Sequence, residues 1–176
     1  MTRVPHRKTA AAMAVVGSLV ILFAYAQWPA ADPTAESANR ILVVKHEHKL
    51  VLLRDGRILR TYRVSLARNP VGPKMHTGDH RTPEGLYVID WRNPQSKFHL
   101  SLHISYPNAN DIQRARTLHE DPGGDIMIHG LQNGLGWIGR FHRWMDWTDG
   151  CIAVTDPEMN QIWRAVPDGT PIEIRP

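Results

Sequence analysis

Cys151 is the residue of this chain best suited to covalent chemistry, and it is the only cysteine among the 176 residues. It follows Gly150 in the run Thr148-Asp149-Gly150-Cys151-Ile152. A glycine permits a tight turn in which the backbone approaches a ligand closely. Such a turn can present the thiol and the backbone N–H groups of Gly150 and Cys151 to one point. Acyl transfer needs a nucleophile with oxyanion donors beside it, so we expect Cys151 to be the nucleophile and Gly150 a backbone oxyanion donor.

A histidine commonly acts as the base for such a thiol, and His129 is the first candidate. It stands near the end of the apolar run 125–130, which is typical of a buried strand and therefore a rigid support. A neutral imidazole can take the proton of a thiol, or form a thiolate–imidazolium pair that lowers the thiol pKa. The alternative is a structural histidine bonded to backbone. His142 is a second candidate base, and Asp149 is a candidate to orient either histidine or to cap a turn.

The N-terminus has the pattern of an export segment. Three basic residues and no acidic one precede an apolar stretch, residues 9–26, which ends in the A-x-A sequence of a cleavage site. Residues 1–26 are therefore predicted to be a signal peptide or, if uncleaved, an N-terminal membrane anchor. Both predictions place the remaining chain outside the cytoplasm.

The charge of the mature chain argues against a nucleic-acid partner. The whole chain has 21 Lys and Arg against 17 Asp and Glu, but three of the basic residues lie in the export segment, which leaves 18 against 17. Binding to nucleic acid would need a concentrated basic face. Residues 27–39 are rich in Pro, Ala and small polar residues and are predicted to be a linker. Residues 40–176 are one domain's worth of chain.

The domain is predicted to be mainly β, with one or two short helices. Runs rich in β-branched and alternating apolar residues predict strands at 40–45, 49–54, 57–66, 84–90, 99–106, 125–130 and 171–175. Asp55-Gly56 predicts a tight hairpin turn. Thr155 and Glu158 form a capping box that predicts a helix to about residue 166, and residues 108–120 predict a weaker helix. The Pro- and Gly-containing segment 69–83 is predicted to be a long loop.

Two motifs carry a resemblance to a known family. Ile128-His129-Gly130 followed by residues 148–152 resembles the signature of the L,D-transpeptidase (YkuD) family of cell-wall enzymes. The runs 82–87 and 100–108 resemble the branch of that family found in Gram-negative bacteria. The resemblance implies an L,D-transpeptidase-type β-sandwich in the periplasm, working without a metal or other cofactor.

The resemblance also implies a reaction on peptidoglycan stem peptides. The Cys151 thiolate would attack the bond after the L-centre of meso-diaminopimelate in a tetrapeptide stem, D-Ala would leave, and a thioester would form. An amine of another stem would give a 3–3 cross-link, and a lysine of an outer-membrane lipoprotein would give an anchored lipoprotein. With water as acceptor, the same site would be a carboxypeptidase or a hydrolase that releases such lipoprotein links.

The chain departs from the family pattern at two positions. Many members have His before the Gly-Cys pair, where this chain has Asp149, and Arg or Asn two residues after the cysteine, where this chain has Ala153. A substrate contact from the second position is therefore lost. Arg140 and Arg143 are candidates to replace it, because guanidinium groups bind carboxylates in a bidentate manner. Ordinary surface solvation is the alternative for both.

The segment between the two motifs, residues 131–147, is longer than the commoner family spacing. It contains three tryptophans and several glycines. Trp137 is a candidate to wall a peptide or sugar groove. The alternative is that these aromatic side chains pack the segment onto the domain.

Two rival functions have sequence features in their favour. Ten histidines raise the possibility of a zinc hydrolase. However, His76 and His80 flank a glycine in a loop rather than lying on a helix, and His99 and His103 are about 13 Å apart along a strand. The linker and the aromatic segment would also suit a non-catalytic cell-wall binding module with an inert cysteine.

Overall fold

The computed structural model describes residues 36–176. The predicted export segment, residues 1–26, and all but the last four residues of the predicted linker, 27–39, lie outside the described residues. Across the described part of the chain, no helix has the length and apolar character needed to cross a lipid bilayer.

The domain opens with the predicted β meander. Its three antiparallel strands are β1 (Arg40–Val44), β2 (Lys49–Arg54) and β3 (Arg57–Arg63). Asp55 and Gly56 both have positive φ, 52° and 80°, as a type I′ hairpin turn requires. The third strand ends at Arg63, earlier than the sequence predicts. Beyond it, Ser65 bridges to Ala153 near the C-terminal end of the motif region.

Five further strands complete an eight-stranded sheet. They are β4 (Gly85–Asn93), β5 (Ser101–Ile104), β6 (Met127–His129), β7 (Ile152–Ala153) and β8 (Pro171–Arg175). The strand order is β3-β2-β1-β8-β4-β5-β6-β7, with β1–β8 and β6–β7 parallel. Strand β4 pairs with β8 through its first half and with β5 through its second half, and the register shifts between Ile89 and Trp91. The sheet curls at this strand, and the predicted mainly β fold is confirmed.

Within residues 36–176, three short helical segments accompany the sheet. They are α1 (Ala109–Thr117), α2 (Asp156–Ala165) and a 3₁₀ segment (Gly136–Trp144). Helix α2 begins with the predicted capping box, in which Thr155 and Glu158 bond each other's backbone N–H groups. The 3₁₀ segment is kinked at Gly139, where φ is 51°, and the sequence did not predict it.

One face of strands β5 and β6 is buried in the core, and the other face lines a groove. Leu102, Ile104 and Ile128 are fully buried in the core, and burying each such side chain contributes roughly 1.5–3 kcal/mol. Because neighbouring residues point to opposite faces, this burial fixes which residues face away from the core. Those residues include Ser101 and His129, which line an open groove. The core therefore holds the groove side chains in register.

Candidate active site

Strands β6 and β7 bring the two sequence motifs to one groove. The strands pair in parallel, with His129 opposite Ala153, so Cys151 lies two residues before the residue that pairs with His129. Both His129 and Cys151 line a groove of about 460 Å³. Ile152 follows Cys151 into the core and is fully buried. The nucleophile candidate is thus held at the start of a short buried strand.

The hydrogen bonding of His129 selects one form of its ring. Its Nδ1 lies 2.6 Å from the carbonyl oxygen of Gly130. Because a carbonyl can only accept, Nδ1 carries the proton and Nε2 keeps a lone pair. Burial lowers the pKa of His129, and the bond to Gly130 only partly opposes this effect. His129 is therefore neutral and able to accept a proton at Nε2.

Two aromatic side chains fix the orientation of this imidazole. The ring centroids of Phe98 and Trp147 lie 4.7 Å and 5.7 Å from that of His129. Phe98 and Trp147 also line the groove beside Cys151. They exclude water from one side of the base, which accounts for its desolvation.

The surroundings of Cys151 favour the neutral thiol over the thiolate. Burial raises the pKa of Cys151 to about 11, and the carboxylates of Asp149 and Asp125 add to the rise. The side chain is half-buried, and its Sγ lies 3.6 Å from the backbone carbonyl of Asp125. Of the two predicted modes, a neutral thiol that loses its proton as it attacks fits this environment better than a thiolate–imidazolium pair.

The turn before the nucleophile requires a glycine. Gly150 has a φ of 143°, and a β-carbon there would lie 2.7 Å from Ile126 Cδ1 and 3.1 Å from the Arg81 carbonyl oxygen. The hydroxyl of Thr148 donates to the Cys151 carbonyl at 2.7 Å. The Gly150 N–H points to the same hydroxyl over 3.4 Å, a long contact. The oxyanion role of this N–H stays a prediction.

Asp149 is bound by residues that the sequence did not connect with it. Its carboxylate lies 2.7 Å from His80 Nδ1 and 2.8 Å from an Arg68 guanidinium nitrogen. Both partners belong to the chain around the long loop 69–83. The described contacts of Asp149 do not include His129 or His142. The predicted orienting role therefore has no contact behind it, and Asp149 instead fastens the loop to the turn before the nucleophile.

His142 lies behind Trp147 and outside the groove. Its Nδ1 lies 3.1 Å from Ser65 Oγ and 3.5 Å from Trp147 Nε1. It lines a separate apolar pocket of about 360 Å³ that shares only Trp147 with the groove. Burial, followed by the charge of Arg143, lowers the pKa of His142 to about 3. The structure does not bring this alternative base together with Cys151.

The predicted substrate-binding residues of the insert also lie elsewhere. Arg143 forms an ion pair with Glu158, the capping-box residue of α2. Arg140 and Trp137 belong to the 3₁₀ segment, and Trp137 is 62% exposed. None of these three candidates lines the groove of Cys151.

Groove residues that sequence reasoning missed come from the end of β4 and the start of β5. Those on this wall are Asn93, Gln95, Ser96, Lys97, Phe98 and Ser101. The alternation of polar and apolar residues over 99–106 did place Ser101 on the face away from the core. Only the β5–β6 pairing shows that this face is also the face of His129.

Within residues 36–176, the structure has no group of three or more His, Cys, Asp or Glu side chains arranged to hold a metal ion. His76 and His80 do not converge, because His76 Nδ1 bonds the Thr77 carbonyl while His80 bonds Asp149.

Solved structures of other proteins share this fold, and three of them are compared below. The protein Bd1075 of Bdellovibrio bacteriovorus superposes with a TM-score of 0.54 at 24% identity, covering 80% of this chain and 48% of that one. Pgp2 of Campylobacter jejuni, described as a helical cell shape determining protein, gives 0.58 at 23%, covering 79% and 48%. An L,D-transpeptidase of Xylanimonas cellulosilytica gives 0.52 at 17%, covering 81% and 63%.

Sequence comparison leads to the same group of proteins. This chain is 30% identical over 112 residues to the Escherichia coli K12 protein named "Putative L,D-transpeptidase YafK", and the match covers 62% of this chain and 37% of that protein. The chain thus spans well under half the length of this curated relative. The family model of the L,D-transpeptidase catalytic domain, YkuD, matches residues 38–174. The chain therefore belongs to the YkuD family of L,D-transpeptidase catalytic domains.

Proposed function

We propose that this protein is a cysteine L,D-transpeptidase that acts on the diaminopimelate-containing tetrapeptide stems of peptidoglycan. The observation that carries the proposal is the shared groove of Cys151 and His129, in which Nε2 of His129 is the free proton acceptor. Membership of the L,D-transpeptidase family supports the substrate class. The similarity to a cell shape determining protein supports a role in cell-wall organisation.

The reaction begins with attack of Cys151 Sγ on the carbonyl carbon at the L-centre of diaminopimelate. The thiol proton passes to His129 Nε2 as the S–C bond forms, because the free thiol has a raised pKa. The C–N bond to D-Ala then breaks, and the imidazolium returns the proton to the leaving amine. The product is a thioester on Cys151 and free D-Ala.

The acceptor decides the final product. An amine of a second stem gives a 3–3 cross-link, and a lysine of an outer-membrane lipoprotein gives an attached lipoprotein. Water gives a shortened stem or, on a lipoprotein-linked stem, a released lipoprotein. Cys151 lines an open groove, through which any of these acceptors can reach the thioester.

The test is product analysis on defined substrates. Purified disaccharide-tetrapeptide and lipoprotein-linked muropeptide are incubated with wild type, Cys151→Ala and His129→Ala, and the products are identified by mass spectrometry. Loss of D-Ala with 3–3 dimers supports the transpeptidase. Release of the lipoprotein remnant without dimers moves the assignment to the hydrolase. Equal inactivity of wild type and Cys151→Ala would replace both with the binding module.

We also propose a periplasmic location, reached through the export segment 1–26. The support is the sequence pattern of a basic start, an apolar stretch and an A-x-A cleavage site. N-terminal sequencing of protein from the fractionated cell tests both forms of the proposal. A start at Gln27 in the periplasmic fraction indicates cleavage, an intact N-terminus in the membrane fraction indicates an anchor, and protein in the cytoplasm contradicts both.

A further inference from the structure

A row of three side chains crosses the sheet at the groove. Ser101 on β5 pairs directly with Asn93 on β4 and with His129 on β6. Side chains at directly opposed positions of neighbouring strands lie about 5 Å apart. All three residues line the groove. The row therefore runs from the candidate base, His129, to Asn93 at the far wall.

Ser101 supplies a hydroxyl in the middle of the row. The residue is only 3% exposed, and no hydrogen bond joins its hydroxyl to another described residue. The hydroxyl is not among the enclosed polar atoms without a partner, so it faces the groove that Ser101 lines. A ligand atom bound there can therefore form a hydrogen bond with it.

The other two polar groups of this wall are donors. The Asn93 side-chain oxygen already accepts from the backbone N–H of Gln95 at 2.9 Å, which leaves the Asn93 NH₂ group for a ligand. The side chain of Lys97 is exposed and has no carboxylate partner among the described residues. Its ammonium group can only donate.

The segment that carries Lys97 is held in place. The Lys97 carbonyl accepts from the Asn133 N–H at 2.9 Å, and the Asn133 side chain donates to the Ser96 carbonyl at 3.1 Å. The Ser96 hydroxyl accepts from the Phe98 N–H at 3.0 Å. Lys97 therefore stands on an ordered turn next to the row.

The acidic residues of the groove lie on the opposite wall. Asp125 and Asp149 are both close enough to Cys151 to raise its pKa. Asp149 is also held by His80 and Arg68. Lys97 is the only lysine or arginine among the described residues that line the groove, so it attracts an anionic group of a ligand to its own wall.

We propose that Asn93, Lys97 and Ser101 form a carboxylate-binding subsite that positions the stem peptide beside Cys151. This inference rests on the proposed function. The ligand group is a free carboxylate of the stem, from either the side chain of diaminopimelate or the terminal D-Ala. Lys97 supplies the charge, and Ser101 and Asn93 supply directed hydrogen bonds. The subsite takes the role that the sequence assigned to Arg140 and Arg143.

Substrate amides separate the two sources of the carboxylate. The ratio kcat/KM is measured for the free tetrapeptide, for its diaminopimelate side-chain carboxamide and for its D-Ala amide, with wild type, Lys97→Gln and Ser101→Ala. Lys49→Gln, an exposed position paired with Glu47 outside the groove, is the matched control. We expect Lys97→Gln to lower kcat/KM about tenfold on the free stem. One of the two amides should react equally with Lys97→Gln and wild type, and that amide identifies the source.

Equal slowing of Lys97→Gln on all three substrates, or no slowing on any, would overturn the subsite. In another outcome, wild type forms the thioester on Cys151 while Lys97→Gln prefers the free stem over the amides as strongly as wild type does. This result would leave the proposed function standing and remove only the subsite. A binding measurement covers the remaining case, in which wild type turns over no stem. Calorimetric titration of Cys151→Ala protein with the tetrapeptide should then show an about tenfold weaker Kd for the Lys97→Gln double variant, and an equal Kd would refute the inference.

Discussion

Acid should destabilise this protein through His142, and His142→Gln should remove that part of the effect. Burial holds the pKa of His142 at about 3 in the folded protein, against an ordinary value of 6.5. Its Nε2 is buried and has no hydrogen-bond partner. The folded state therefore keeps the ring neutral, whereas the unfolded chain takes up a proton as the pH falls below 6.5. Stability from this group is present above pH 6.5 and is lost as the pH falls towards 3.

The size of the effect follows from the difference in pKa. At pH 5 the ring is protonated in the unfolded chain and still neutral in the folded protein. The free-energy loss is therefore set by the 1.5 units between the ordinary pKa of 6.5 and pH 5. At 1.36 kcal/mol per unit, the loss relative to pH 7.5 is about 2 kcal/mol. This is a large share of the total for a domain whose free energy of unfolding is about 5–15 kcal/mol.

Urea unfolding followed by tryptophan fluorescence measures this difference. The free energy of unfolding is determined at pH 7.5 and pH 5 for wild type, His142→Gln and the control His46→Gln, whose side chain is 72% exposed. We expect wild type and the control to lose about 2 kcal/mol more than His142→Gln between the two pH values. A loss of the same size in all three proteins would refute the reasoning.

Three further predictions concern the turn and the insert. Asp149→Asn should lower the pKa of the Cys151 thiol, because the Asp149 carboxylate raises it. Alkylation by iodoacetamide should then reach its midpoint at a lower pH, whereas the control Asp168→Asn should match wild type. An unchanged midpoint in both variants would contradict the account. Gly150→Ala should abolish turnover, because the added methyl group would lie 3.1 Å from the Arg81 carbonyl oxygen and because a φ of 143° disfavours any residue with a side chain. A wild-type kcat in a steady-state assay would contradict this prediction. Arg143→Ala should leave KM unchanged but lower the free energy of unfolding in urea by about 3 kcal/mol, because the buried Glu158 carboxylate loses its ion-pair partner. A raised KM with an unchanged free energy of unfolding would instead favour substrate binding by Arg143.

Local signals in the sequence predicted much of the fold. The turn at Asp55-Gly56 and the capping box at Thr155 act within a few residues, so they are readable without tertiary structure. The period-two pattern over 99–106 predicted that Leu102 and Ile104 face the core. These features depend on the chain's own local chemistry.

The contacts that depend on distant chain segments were not predictable. His80 lies 69 residues before Asp149, and no local pattern connects the two. No local pattern shows where the 3₁₀ segment packs on the domain, and this packing decides that Arg143 meets Glu158 and that His142 lies behind Trp147. The sequence therefore indicated which residue types carry chemistry in the insert, but it could not place them relative to the groove.

The central claim is that Cys151 forms a thioester with a peptidoglycan stem. Intact-protein mass spectrometry after brief incubation with disaccharide-tetrapeptide tests it most directly, with peptide mapping to locate the adduct. The account predicts an adduct equal to the stem minus D-Ala, located on Cys151, released by neutral hydroxylamine and absent from Cys151→Ala. D-Ala release at the wild-type rate by Cys151→Ala would contradict it.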